Sequence, residues 1–159
     1  AVFNLEKYEN HKEKHILARI KGLGFGFEKL SSSTSISFSG EGFEQSMLNA
    51  MDDAVINNLD AIIMHAPGTI EEDESELNAI YKVFGDLHPI LLSNKWMIGH
   101  TFGASCALSL ELAIHILHNQ EYSNFPYDVR VSSYHKEIKN IMINSAGFDG
   151  NYISIIISR

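Results

Sequence analysis

Two short apolar runs, Ala61 to Met64 and Ile90 to Leu92, each lead into a histidine and a glycine-bearing turn. The first continues as His65-Ala66-Pro67-Gly68-Thr69. The second continues as Ser93-Asn94-Lys95-Trp96-Met97-Ile98-Gly99-His100. Runs this short and this apolar read as buried strands. A buried strand that ends in a histidine and a sharp turn sets an imidazole at a sheet edge, where α/β proteins place their chemistry. Between the two runs, Glu71 to Phe84 reads as a helix whose acidic first turn suits the positive end of its dipole. The chain is thereby committed to a mixed α/β fold with two layers of helix around one sheet. His65 and His100, with Lys95 five residues before the second, form a candidate catalytic constellation with no nucleophile to accompany it.

The remaining elements follow from the same patterns. Ala1 to Leu5 is a short apolar run, and Lys7 to Lys14 is charged, a short helix or turn. Ile16 to Phe27 reads as a strand in which Gly22, Gly24 and Gly26 alternate. Their spacing fails the Gly-x-Gly-x-x-Gly phosphate pattern, so they are strand glycines. Ser31 to Gly42 is a serine-rich loop. Glu44 to Asn57 carries Met47, Leu48, Met51, Val55 and Ile56 at helical spacing. Gly103 to Leu117 is apolar on almost every face, which predicts a deeply buried helix. Asn119 to Val131 is a polar connection. Ile138 to Ile143 and Tyr152 to Ile157 read as strands joined by the glycine-rich turn Asn144 to Gly150.

Composition excludes several classes. The 159 residues are one domain by length, 45% hydrophobic and 20% charged, so neither a disordered chain nor a solenoid is expected. A formal charge of -8 argues against nucleic-acid binding and places any basic docking patch locally or on another chain. The single Cys106 rules out an internal disulfide and points to the cytoplasm. No apolar run approaches the roughly 18 residues that would predict a membrane span. The scattered His11, His15, His115, His118 and His135 form no metal-ligand spacing. The first residue, Ala1, already lies in an apolar segment, which suggests a piece of a longer product.

Three stretches carry a resemblance. His65-Ala66-Pro67-Gly68-Thr69-Ile70-Glu71-Glu72-Asp73-Glu74-Ser75-Glu76, then Val83-Phe84-Gly85, resembles the first-histidine motif of β-ketoacyl-acyl-carrier-protein synthases, His-Gly-Thr-Gly-Thr, then Asp, then Glu, then Phe-Gly. Ser93 to Ala104 resembles their Ser-Thr-Lys-Ser-x-x-Gly-His-x-x-Gly-Ala, and Asn144 to Gly150 their Asn-Ser-Phe-Gly-Phe-Gly-Gly. The motifs stand in the family's order and spacing, and the resemblance spans residues 1–159 as the C-terminal half of such an enzyme. It implies a thiolase-like fold, the C-terminal half of a layered αβαβα architecture. It also implies that the nucleophilic cysteine belongs to an N-terminal half, leaving Cys106 as core packing.

The resemblance implies a decarboxylative Claisen condensation in fatty-acid or polyketide biosynthesis. His65 and His100 are then paired imidazole donors to the enolate oxygen of a malonyl thioester, an oxyanion-type site. Lys95, expected beside His100, opposes imidazole protonation. Phe148 matches the gating aromatic, and Thr69 a hydroxyl directed at the phosphopantetheine arm of acyl carrier protein, the substrate carrier. No covalently bound cofactor is expected. The implied partners are acyl carrier protein, the N-terminal ketosynthase half and a second synthase unit in a homo- or heterodimer. Several residues depart from the pattern: Ala66 for glycine, Pro67 for threonine, Trp96 for serine, Ser109 for the glutamate paired with the lysine, Ala146 for an aromatic and Asp149 for a gating-loop glycine. Glu111 is expected on a different helix face from Ser109. Two other readings stand beside the enzyme: a non-catalytic chain-length-factor-like partner of a ketosynthase, and a thiolase-fold acyltransferase that does not decarboxylate. Outside that context Asp73 and Glu76 read as helix-capping and local ion-pairing carboxylates.

Overall fold

A computed structural model describes residues 1–7, 15–32, 37–87, 89–123 and 137–159. The readings for 8–14 and for the connection beyond 123 lie outside these residues. Five strands form one mixed sheet: β1 (Arg19–Phe27), β2 (Ala61–Ile63), β3 (Ile90–Leu92), β4 (Asn140–Gly147) and β5 (Asn151–Ser158), in the spatial order β1-β5-β4-β2-β3. β2 pairs in parallel with both β3 and β4, whereas β5 pairs antiparallel with β4 and β1. The helices are α1 (Glu41–Ala54), α2 (Ile70–Phe84), the single turn α3 (Lys95–Ile98) and α4 (Ser105–Asn119).

Each sheet face has its own core. One holds Phe43, Met47 and Ala50 of α1 and Ala79 and Ile80 of α2 against Ile62, Met142 and Ile156. The other holds Ala113, Ile116 and Leu117 of α4 against Ala61, Ile63, Ile141, Ile143 and Ile157. The alternation of β4 and β5 sends successive isoleucines and Met142 to opposite faces, as period-two strands require. Two helical layers around one sheet are therefore observed as expected. Among the described residues no helix is long and apolar enough to cross a membrane, and no three acidic, histidine or cysteine side chains cluster as metal ligands.

The structure corrects three expectations. Helix α1 begins and ends three residues earlier than expected: Gly40, left-handed at φ 65°, is its N-cap, and Val55, left-handed at φ 53°, closes it. Its buried face is consequently Gly42, Phe43, Ser46, Met47, Ala50 and Ala54, while Leu48 and Val55 are exposed. That face lies on the glycines of β1: a Cβ at Gly24 would overlap the carbonyl oxygen of Ser46, and one at Gly22 that of Ala50. Side chains of α1 also satisfy the outer edge of β1, since Asp53 and Gln45 accept the N–H groups of Leu23 and Phe27, and Asn49 donates to the Phe25 carbonyl. Helix α4, second, is covered on one side only. Ser105, Ser109, Ala113, Ile116 and Leu117 are buried, and its other apolar residues are half-buried. Third, the glycine-rich motif is mostly strand. Asn144 to Gly147 pair with Ser154 to Asn151, and only Phe148–Gly150 make the turn. Asp149 (φ 61°) and Gly150 (φ 72°) are both left-handed there, a pairing that suits a tight hairpin.

Candidate active site at the end of the sheet

The carboxyl ends of β2 and β3 bring the two histidines together, because the two strands run parallel and side by side. The ring centroids of His65 and His100 are 5.3 Å apart with an interplanar angle of 78°. His65 is buried, 3% exposed, and His100 half-buried. Each ring is fixed through the same nitrogen. The Ala146 N–H donates to His65 Nδ1 at 3.3 Å, and the Phe102 N–H donates to His100 Nδ1 at 2.9 Å. A neutral imidazole whose Nδ1 accepts must carry its hydrogen on Nε2. Both rings are thereby set as Nε2–H donors. Burial, with Lys95 and His100 nearby, lowers the His65 pKa from 6.5 to about 3, so this imidazole is neutral across the physiological range.

The turn after β2 is held tightly. Ala66 takes a φ of 24°, a region an L-residue enters at a cost. Glu76 of α2, fully buried, clamps it: Oε1 accepts the His65 N–H at 3.0 Å and Oε2 the Ala66 N–H at 2.9 Å. Oε1 also accepts Asn144 Nδ2 at 3.0 Å. Burial raises the Glu76 carboxyl pKa, while these three donors and Lys95 favour its charged form. Lys95 is 5% exposed, and its Nζ donates to the His65 carbonyl oxygen. Burial lowers its pKa, with Glu76 the foremost opposing charge. The expectation for the lysine is a place beside His100; the hydrogen bond it makes is to the His65 carbonyl.

Glu76 and Asn144 are the site residues that sequence reasoning passed over or misread. Glu76 was assigned to capping and local pairing, yet it sits on the buried stripe of α2 with Ala79 and Ile80 three and four residues on. A carboxylate on such a stripe was the available signal, since buried charge needs partners. Asp73 does behave as a local cap, accepting the Gly68 N–H at 3.1 Å. Asn144 gave no separate signal within its motif.

The other candidates lie at the rim. Thr69 occupies the N-cap position of α2, exposed, its hydroxyl donating to Glu72 at 2.9 Å. Phe148, 65% exposed, stands at the hairpin tip, two residues beyond the Ala146 amide that fixes His65. Ser109 is buried and donates to Asn94 Oδ1 at 3.4 Å, while Glu111 is exposed on another face of α4. Cys106 is half-buried beside the α4 core, and burial raises its thiol pKa. Trp96, Met97, Ile98 and Phe102, in the segment around His100, are exposed.

Comparison with known proteins identifies the family. Residues 17–125 match the model of the family described as "Beta-ketoacyl synthase, C-terminal domain". The chain is 32% identical over 133 residues to 3-oxoacyl-[acyl-carrier-protein] synthase 1 of Haemophilus influenzae, an alignment covering 76% of this chain and 32% of that protein. The structure of a β-ketoacyl synthase from Burkholderia phymatum superposes with a TM-score of 0.81 at 27% identity, covering 97% of this chain and 41% of that one. A ketosynthase structure described as a type II polyketide synthase acyl-carrier protein in complex with its ketosynthase bound to the hexaketide gives 0.82 at 25% identity, covering 96% and 41%. The chain spans about a third of the length of the curated relative it matches. With its thiolase-like fold and the matched residues 17–125, the chain belongs to the β-ketoacyl synthase family, as a C-terminal domain of it.

Proposed function

We propose that residues 1–159 form the enolate-stabilising half of a β-ketoacyl-acyl-carrier-protein synthase, acting in fatty-acid or polyketide biosynthesis with an N-terminal half that carries the cysteine nucleophile. The observation that carries this reading is that Nδ1 of both His65 and His100 accepts a main-chain N–H, which in a neutral ring leaves Nε2–H to donate. When a malonyl thioester loses carbon dioxide, negative charge develops on the thioester oxygen. Two neutral N–H donors already oriented toward that oxygen stabilise the charge without reorganising. The resulting carbanion attacks the acyl group on the partner half's cysteine, forming the new carbon–carbon bond and releasing the thiolate.

Lys95 supports this, its charge adding to the burial that lowers the His65 pKa. Phe148 at the hairpin tip gates the second substrate. Thr69 meets the phosphopantetheine arm of acyl carrier protein, and Pro67 offers that arm no hydroxyl. No covalently bound cofactor enters the reading. The synthase unit pairs as a homo- or heterodimer, and the lone cysteine suits a cytoplasmic setting. A second reading, a chain-length-factor-like partner without catalysis, is favoured by one observation: the position of the lysine-pairing glutamate is Ser109, which bonds Asn94 instead.

Release of carbon dioxide from malonyl-acyl carrier protein by the chain assembled with its nucleophile-bearing half separates the two. His65→Ala and His100→Ala are each expected to lower it by about a hundredfold or more, the cost of losing one oxyanion donor. Undiminished release in both variants rejects the assignment.

A further inference from the structure

A buried chain of side-chain hydrogen bonds runs from the His65 turn across the sheet face covered by α1 and α2. Asn144 on β4 and Ser154 on β5 are directly paired across the antiparallel ladder. Asn144 Nδ2 donates to Glu76 Oε1 at 3.0 Å, and Ser154 Oγ donates to Asn144 Oδ1 at 2.8 Å. Ser46 of α1 follows, its Oγ 2.9 Å from Ser154 Oγ. Ser46, Ser154 and Glu76 are fully buried, and Asn144 is 2% exposed.

The direction of donation is fixed. Glu76 Oε1 can only accept from the amide, so Asn144 must turn its NH2 toward α2 and its oxygen toward β5. The Ser154 hydroxyl then spends its one hydrogen on Asn144 Oδ1. Its own lone pair is left for Ser46, whose hydrogen is shared with the Phe43 carbonyl at 3.0 Å. Remove the Ser154 hydroxyl and the buried Asn144 Oδ1 loses its donor, leaving Glu76 alone to orient the amide. In the flipped orientation its oxygen opposes the Glu76 carboxylate. That carboxylate is what holds Ala66 at a φ of 24° and the His65 main chain in place.

We propose that Ser154 is a positioning residue for His65: through Asn144 and Glu76 it fixes the strained turn that presents the imidazole. This rests on the reading of His65 as an enolate donor for its catalytic consequence, and on the hydrogen-bond geometry alone for its structural one. The hydroxyl reaches His65 only through two other side chains, so its effect is transmitted and not direct.

The test uses the assembled synthase labelled with 15N-histidine, comparing Ser154→Ala with Ser154→Thr. Ser154→Ala is expected to shift His65 from the pure Nε2–H form toward a mixture of tautomers and to slow malonyl decarboxylation about tenfold. Acylation of the cysteine should stay unchanged, because misplacing one donor affects only the step it serves. Ser154→Thr keeps the hydroxyl and should restore both readouts. If Ser154→Ala leaves the His65 tautomer as in wild type, or if Ser154→Thr is as impaired as alanine, the positioning role is overturned. A tautomer shift with unchanged decarboxylation upholds the positioning and counts instead against His65 as the enolate donor. Should Ser154→Ala unfold the protein, Ser154→Cys makes the same test: it replaces the hydroxyl with a weak donor and should shift the tautomer likewise, and a wild-type tautomer in it overturns the proposal.

Discussion

At the scale of single residues, the site is a set of conformational demands met by neighbours. Ala66 stands where the family pattern has glycine, and its positive φ is a cost that Glu76 and Lys95 offset by gripping the flanking N–H and carbonyl groups. Replacing Ala66 with glycine should therefore stabilise the protein, by about 1 kcal/mol, as relief of the steric penalty outweighs the added freedom of the unfolded chain. Chemical denaturation measures it, and a loss of stability would mean the turn is not strained. His65, His100, Lys95, Thr69 and Phe148 were all legible in the sequence as candidates because their motifs keep order and spacing. The grip of Glu76 was not, since a carboxylate one turn past an acidic helix start looks like a cap until the fold shows that it points inward. Nor was the reach of Lys95 to the His65 carbonyl, a contact between segments far apart in sequence.

Elements were legible where a pattern had a single reading. Strands β2 and β3 and helix α2 stand within a residue of their expected bounds, because short apolar runs and an acidic helix start leave little choice. Helix α1 was displaced because most of its inward face, Gly42, Ser46, Ala50 and Ala54 beside Phe43 and Met47, is small and carries little hydrophobic signal. Their smallness is explained only by the partner: the glycine face of β1 admits a helix backbone at van der Waals distance. The strand glycines and the small helix face specify one another. Gly24→Ala should cost about 3 kcal/mol or more, the upper range for overpacking, because its Cβ meets main-chain atoms of α1 that cannot rotate away. Thermal unfolding of that variant at or near the wild-type midpoint would contradict the close packing.

For the whole molecule, the surface left uncovered matters as much as the core. Leu23, Phe25 and Phe27 are exposed on β1, and Trp96, Met97, Ile98 and Phe102 beside the histidines. Apolar residues gathered on faces in this way mark interaction surfaces. Helix α4 was expected deep in the fold from its composition. Within this chain it is covered on one side, and the expectation holds only for an assembly in which a second layer packs on it. The isolated chain should accordingly bind an apolar dye such as ANS, and co-expression with the nucleophile-bearing half should abolish most of that signal. Dye binding that is equally strong in the assembly would place the missing cover elsewhere.

The central claim is that two neutral imidazoles present Nε2–H to one oxygen, and 15N shifts of labelled histidine in the assembled protein test it. At pH 8 both His65 and His100 should show a bare Nδ1 and a protonated Nε2. On lowering the pH to 5, His65 should stay in that form, because its pKa is lowered to about 3. The sign for stability follows: between 6.5 and 3 the unfolded chain binds a proton that the folded chain refuses. Stability present above pH 6.5 is thus lost as the pH falls toward 3, on the order of 5 kcal/mol from this residue. A His65 signal that titrates near 6.5, or either ring found with its hydrogen on Nδ1 at pH 8, would contradict the account.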